Sequence, residues 1–163
     1  MRGHCLGFSR ATTILCLATA CLAIASILTA PSAPPAPPAS LLTGAQLEPG
    51  ILNILQRSCA DCHSPNTRYP WYSYVAPVSW LIRNDVTGGR EHLDLSRWQE
   101  YPLVRRERAL SEIANQVKDR DMPLGIYAWM HPAARLSDAD VDAVFRWTQQ
   151  ERARLIASSA APQ

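Results

Sequence analysis

The sequence predicts an all-α protein, and three patterns indicate this class. Apolar residues recur at helical spacing in several stretches of the chain. No segment keeps the alternation of apolar and polar side chains that is typical of a half-buried β-strand. An uncharged apolar run near the N-terminus is long enough for a membrane-spanning helix. We therefore expect one small helical domain behind an N-terminal transmembrane helix.

The N-terminal run, residues 11–30, reads ATTILCLATACLAIASILTA and carries no charge. A helix of this length reaches about 30 Å, the thickness of a bilayer core. Arg2 and Arg10 precede the run, and the next basic residue is Arg57. This asymmetry predicts a cytoplasmic N-terminus and a remainder outside a bacterial inner membrane, in the periplasm. We interpret residues 1–30 as an anchor, and a cleaved signal peptide or lipidation at Cys21 stays open.

Residues 31–46 are predicted to be a linker. Its first part reads PSAPPAPPAS, and proline-rich tracts favour extended polyproline II, which makes a semi-rigid spacer. Residues 47–156 then form the predicted domain, followed by a tail at 157–163. This length is enough for one small hydrophobic core.

Four helical stretches are predicted within the domain. The first leads into Cys59 and places apolar or small residues on one face at Ile51, Ile54, Leu55 and Ser58. The second runs from Pro77 into Val86 and is predicted to end at Gly88-Gly89. The third runs from about Pro102 to Arg120, with an inner stripe of Leu103, Leu110, Ile113, Ala114 and Val117.

The last predicted helix starts at Ser137, which is a favourable N-cap residue. Asp140 stands three residues later, in the capping-box position. The residues expected to face inward are Val141, Val144, Phe145 and Thr148.

The pentapeptide Cys59-Ala-Asp-Cys-His63 reads C-x-x-C-H, the attachment motif of a c-type haem. The thiols of Cys59 and Cys62 would each form a thioether to one porphyrin vinyl group, and His63 would ligate the iron. The other three cysteines, Cys5, Cys16 and Cys21, lie in or before the apolar run. A structural zinc site needs four ligands and a thioredoxin-like pair needs a βαβ context, so both are weaker alternatives. The motif predicts one covalent haem c.

Met122 is predicted to be the sixth ligand of the iron. It precedes Pro123, which disfavours helical backbone at Met122 and ends the third helix there. A thioether ligand raises the reduction potential relative to a second imidazole. His131, which precedes Pro132, is the main rival, and Met130 is a weaker candidate. His92 is expected to be a surface or hydrogen-bonding residue.

Aromatic residues follow His63 closely, at Tyr69, Trp71, Tyr72, Tyr74 and Trp80. Large rings at this position could cover a flat apolar cofactor, and Trp71 and Trp80 are predicted to do so. Arg68 is predicted to bind a haem propionate, as could Arg83. Ordinary packing in the core or a loop is the alternative for each ring.

The chain resembles the small c-type cytochrome-like haem-binding domain of bacterial periplasmic proteins. The matching residues extend over about 47–150 and comprise Cys59–Ser64, Thr67–Tyr72, Ala76–Trp80, Asp85-Val86, Gly89-Arg90, Trp98, Met122-Pro123 and His131-Pro132. The resemblance implies a covalently bound haem c with Cys59 and Cys62 as attachment sites and His63 as proximal ligand.

These observations predict a membrane-anchored periplasmic monohaem cytochrome that transfers single electrons without being an enzyme. Its expected partners are periplasmic or membrane redox proteins, and the near-neutral charge of +2 gives no indication of nucleic-acid binding. A haem peroxidase with His131 or His92 as acid/base stays open. So does a sensor in which a diatomic gas displaces Met122.

Overall fold

The computed structural model describes residues 9–31 and 39–160, and these residues contain helices and no β-strand. This confirms the predicted all-α class. The helices are α1 (Arg10–Thr29), α2 (Pro49–Ser58), α3 (Ala60–His63), α4 (Val78–His92), α5 (Leu103–Lys118), α6 (Gly125–Met130) and α7 (Asp138–Ala160). Short 3-10 helices occupy Trp71–Tyr74, Leu95–Glu100 and Pro132–Ala134.

The chain forms two compact units. The first unit contains α1 and residues 69–85, and the second contains residues 39–68 and 86–160 of the described chain. Helix α4 therefore starts in the first unit and ends in the second.

The second unit has a hydrophobic core in which α5 and α7 pack along each other and α2 packs on α7. Its most buried large side chains come from four elements, at Leu55, Trp98, Leu110 and Val144. Burying apolar surface is the main term that stabilises such a bundle. The core also holds Leu41 and Leu42, so ordered packing begins before Leu47.

Three helix predictions are confirmed. All four residues of the predicted α2 face are buried. Helix α5 buries Leu110, Ala114 and Val117 and packs the rest of its predicted stripe against the core. The capping box is formed, because Ser137 N donates to Asp140 Oδ2 (2.8 Å) and Asp140 N donates to Ser137 Oγ (3.1 Å).

Two helix predictions are wrong. Helix α4 does not end at Gly88-Gly89 but continues to His92. Phe145 does not face inward: the residue is 36% exposed, whereas Trp147 is only 4% exposed. The other three residues predicted to face inward, Val141, Val144 and Thr148, are buried. The Trp147 indole donates to the carbonyl of Gln46 (2.8 Å), which ties α7 to the segment before α2.

In the first unit, α1 has no buried residue, and its length and composition fit a membrane anchor or a signal sequence. The predicted proline-rich spacer falls mostly on residues 32–38, which lie outside the described residues, as do Arg2 and Cys5.

Candidate haem-binding site

The C-x-x-C-H motif lies where α2 passes into α3. Cys59 is the C-cap of α2, as the sequence predicts, and Ala60–His63 form one further helical turn. The amides of Cys62 and His63 both donate to the Cys59 carbonyl, at 3.2 and 3.0 Å. Residues three apart on such a turn lie on the same side of it. The two thiols and the imidazole are therefore presented from one compact turn.

The Cys59 side chain packs against the core of the second unit. Burial chiefly, and the neighbouring Cys62 in addition, raise the pKa of this thiol to about 12, although Arg57 acts in the opposite direction. Cys59 is thus a neutral thiol at neutral pH. This is the opposite of the lowered pKa that is typical of catalytic dithiol motifs, and it argues against the dithiol redox alternative.

The His63 ring has a fixed orientation. Its Nδ1 lies 2.9 Å from the carbonyl oxygen of Leu93. Because a carbonyl only accepts hydrogen bonds, Nδ1 carries the proton and Nε2 presents its lone pair. Burial lowers the pKa of His63, so the imidazole is neutral, which is the form that ligates metals. His63 therefore fits the proximal ligand of a haem iron.

Asp61, between the two cysteines, connects the motif to two other segments. Its carboxylate is 7% exposed. Oδ2 accepts a hydrogen bond from the hydroxyl of Tyr127 (2.7 Å), and Oδ1 accepts from the amide (3.1 Å) and Nε (3.4 Å) of Arg68. Burial chiefly, and the bond to Asp61 in addition, raise the pKa of Tyr127. Asp61 thus holds α6 and the chain after the motif against it.

The last turns of α4 lie directly on the motif. A Cβ atom at Gly89 would stand 2.8 Å from the Cys62 carbonyl oxygen, which is closer than real Cβ atoms come. Arg90 donates to the Ser64 carbonyl (2.9 Å) and to Thr67 Oγ1 (2.5 Å). This close contact is the physical reason that position 89 holds a glycine although it lies inside a helix. The sequence analysis missed this role of Gly89 and Arg90, which nothing local signals.

The predicted sixth ligands lie in different environments. Met122 is half-buried after α5, and its amide donates to the Gln116 carbonyl (3.1 Å). His131 is half-buried, and its ring stacks on Tyr127 with centroids 4.3 Å apart. Through Tyr127, His131 is connected to Asp61 of the motif. His92 is exposed with Nε2 3.4 Å from Glu112, as expected for a surface residue.

The structure thus brings Cys59, Cys62, His63 and Arg68 together in the second unit. Trp71 and Trp80 belong to the first unit and are 78% and 52% exposed. The propionate role of Arg68, the ligation by Met122 and the haem contacts of both tryptophans stay predictions.

Comparison with known proteins gives one family and one curated relative. The model of a haem-binding domain family matches residues 20–150. Cytochrome c peroxidase Ccp of Escherichia coli (strain K12) is 25% identical over 107 residues, which cover 64% of this chain and 23% of that protein. The chain thus spans about a quarter of its relative's length. No solved structure matches significantly. Since the family match covers most of the chain and includes the whole C-x-x-C-H turn, the chain belongs to the haem-binding domain family.

Proposed function

We propose that the chain is a membrane-anchored, exported monohaem c-type cytochrome that carries single electrons. The observation that carries the proposal is the hydrogen bond from His63 Nδ1 to the Leu93 carbonyl. It selects the tautomer that offers Nε2 to a metal, directly after two cysteines on one helical turn. Such a turn is what covalent attachment of a single haem requires.

Four residues would hold the haem. Cys59 and Cys62 would form the thioether bonds, and His63 Nε2 and Met122 would ligate the iron. When bound, the haem supplies an iron that is reversibly reduced and oxidised by one electron. The chain keeps the proximal imidazole in one orientation through Leu93, and Asp61 and Arg90 keep the turn in place. A site held this firmly changes little in geometry between oxidation states, which favours rapid electron exchange.

The anchor and the location follow from α1. Its C-terminal end makes hydrogen bonds to residues 76 and 79 of the same unit, which supports its retention in the mature protein over cleavage as a signal. The charge asymmetry around α1 supports a periplasmic location of the haem domain. The partners would be periplasmic or membrane redox proteins.

Absorption spectroscopy of the full chain, produced together with a haem-attachment system, tests this function. We expect a low-spin ferrous spectrum and, in the oxidised protein, the weak long-wavelength band of sulfur–iron ligation. Met122→Ala should remove this band, while the matched control Met130→Ala should keep it. A five-coordinate, high-spin ferrous spectrum in the unmodified chain would contradict the electron-carrier proposal.

A peroxidase-like function is the second candidate, and two observations favour it. The curated relative is named a cytochrome c peroxidase, and His131 is connected to the motif through Tyr127. An open iron with His131 as acid/base would turn over peroxide. His131→Ala should then abolish peroxide-dependent oxidation of a reduced cytochrome, and His92→Ala should not. Equal rates in both variants would exclude this role of His131.

A further inference from the structure

The segment from residue 69 to residue 85 exposes an unusual set of large apolar and aromatic side chains. We call them the aromatic patch: Trp71, Tyr74, Val75, Val78, Trp80 and Leu81. Each is at least 40% exposed, and Trp71 and Leu81 reach 78% and 65%. In the second unit, two of the three tryptophans, Trp98 and Trp147, are buried, and Trp129 is 67% exposed. Exposed apolar side chains grouped in this way mark a contact surface.

This segment packs on the C-terminal end of α1. The amide of Ala76 donates to Ser26 Oγ (3.0 Å), and the hydroxyls of Thr29 and Ser79 lie 2.6 Å apart. All side chains of α1 up to residue 24 are exposed, and partial burial begins at residue 25. The segment therefore lies at the level of the last turns of α1, where a spanning helix leaves the hydrocarbon core.

The composition of the segment suits this depth. Residues 69–82, YPWYSYVAPVSWLI, carry no charge, and Arg83 follows directly. Tryptophan and tyrosine concentrate at the membrane–water boundary because their rings have an apolar body and a polar tip. Arginine can extend from such a boundary towards lipid phosphates.

We propose that the aromatic patch binds the surface of the lipid bilayer and forms a second membrane contact beside α1. The inference rests on the anchoring part of the proposed function. Trp71 and Trp80 insert at the level of the lipid headgroups, in place of the haem contacts that the sequence predicts for them. In the sequence, residues 64–70 separate His63 from Trp71.

Photocrosslinking to lipid tests the inference. The haem-loaded full chain is reconstituted into nanodiscs of phosphatidylcholine and phosphatidylglycerol that contain a phospholipid with a diazirine near the glycerol backbone. After illumination, digestion and mass spectrometry, we expect adducts in α1 and in residues 71–81. The double variant Trp71→Ser/Trp80→Ser should reduce the adducts at 71–81 by about threefold or more. Trp129→Ser, an equally exposed tryptophan of the second unit, should leave them unchanged.

The outcomes separate the inference from the proposed function. Adducts in α1 without adducts in residues 71–81 would overturn the second contact and leave the anchor intact. Absence of adducts from both regions would overturn the anchor and the inference together, whereas the absorption spectrum would still decide the haem function. Labelling at 71–81 that the double variant does not reduce would show that the two tryptophans do not make the contact.

Discussion

The two units of this chain use their apolar residues in opposite ways. The second unit buries Leu55, Trp98 and Leu110 in one hydrophobic core, and its exposed large apolar side chains are spread over several elements. In the first unit, α1 has no buried residue and the aromatic patch is exposed. Burial in a protein core stabilises the second unit in water. The proposed membrane contacts would let the first unit gain the same kind of stabilisation from lipid.

Truncation of one leucine in each unit should give the largest difference in stability between the two units. Leu110→Ala should lower the free energy of unfolding by about 2–5 kcal/mol, because it leaves a cavity in a closed core. Leu81→Ala should change it by less than about 0.5 kcal/mol, since its side chain is already exposed. Guanidinium titration of the detergent-solubilised protein, followed by circular dichroism, measures both. Equal losses would show that the first unit has a core of its own.

The two adjacent glycines of α4 should respond differently to alanine, because only Gly89 lies against the haem motif. Gly89→Ala should cost about 1–3 kcal/mol and reduce haem attachment, because its Cβ would meet the Cys62 carbonyl. Gly88→Ala is the matched control: nothing lies within 4 Å of its Cβ, and alanine should stabilise the helix by about 0.5–1 kcal/mol. Thermal unfolding and the haem absorbance per chain measure the two effects. A tolerated Gly89→Ala would contradict the close contact.

Loss of the N-cap of α7 should lower the unfolding free energy by a smaller amount, and α7 belongs to the second unit. Ser137→Ala removes the acceptor for the Asp140 amide and should cost about 1 kcal/mol. Ser159→Ala, near the other end of α7, should change the unfolding free energy by at most about 0.5 kcal/mol. The same titration measures both, and similar losses would mean that the capping box contributes nothing.

Low pH should weaken the same capping box, and the resulting loss of stability is the smallest effect expected here. Burial alone would raise the pKa of Asp140, but hydrogen bonds from Ser137 and the pairing with Arg57 lower it below its usual value. A carboxyl whose pKa is lower in the folded state stabilises the fold above its unfolded pKa, and this contribution is lost as pH falls through the folded pKa. Stability should therefore decline below about pH 4. Asp140→Asn should flatten this decline, and parallel profiles of both proteins would contradict the assignment.

Local patterns predict the helices of the second unit well. The apolar face of α2, its end at Cys59 and the capping box of α7 all depend on residues within one or two turns of each other. Because amphipathic spacing and capping act over one or two turns, these three features can be predicted from the local sequence.

The missed features depend on contacts between distant residues. Gly89 looked like a helix end because its contact partner, Cys62, lies 27 positions earlier. Tyr127 reaches Asp61 across 66 positions, and His63 reaches Leu93 across 30. The Trp147 indole bonds to Gln46 across 101 positions, in a segment that the sequence assigns to the linker. No local pattern encodes such pairings, which appear only when the helices pack.

Mass spectrometry of the purified, denatured chain tests the central claim most directly. The account predicts a mass increase equal to one haem that acidified acetone does not remove, carried by the peptide that contains Cys59 and Cys62. Cys59→Ser/Cys62→Ser should abolish it, and Cys16→Ser/Cys21→Ser should not. Unmodified chains from cells that attach haem to other cytochromes, or a pigment that the acetone extracts, would contradict the account.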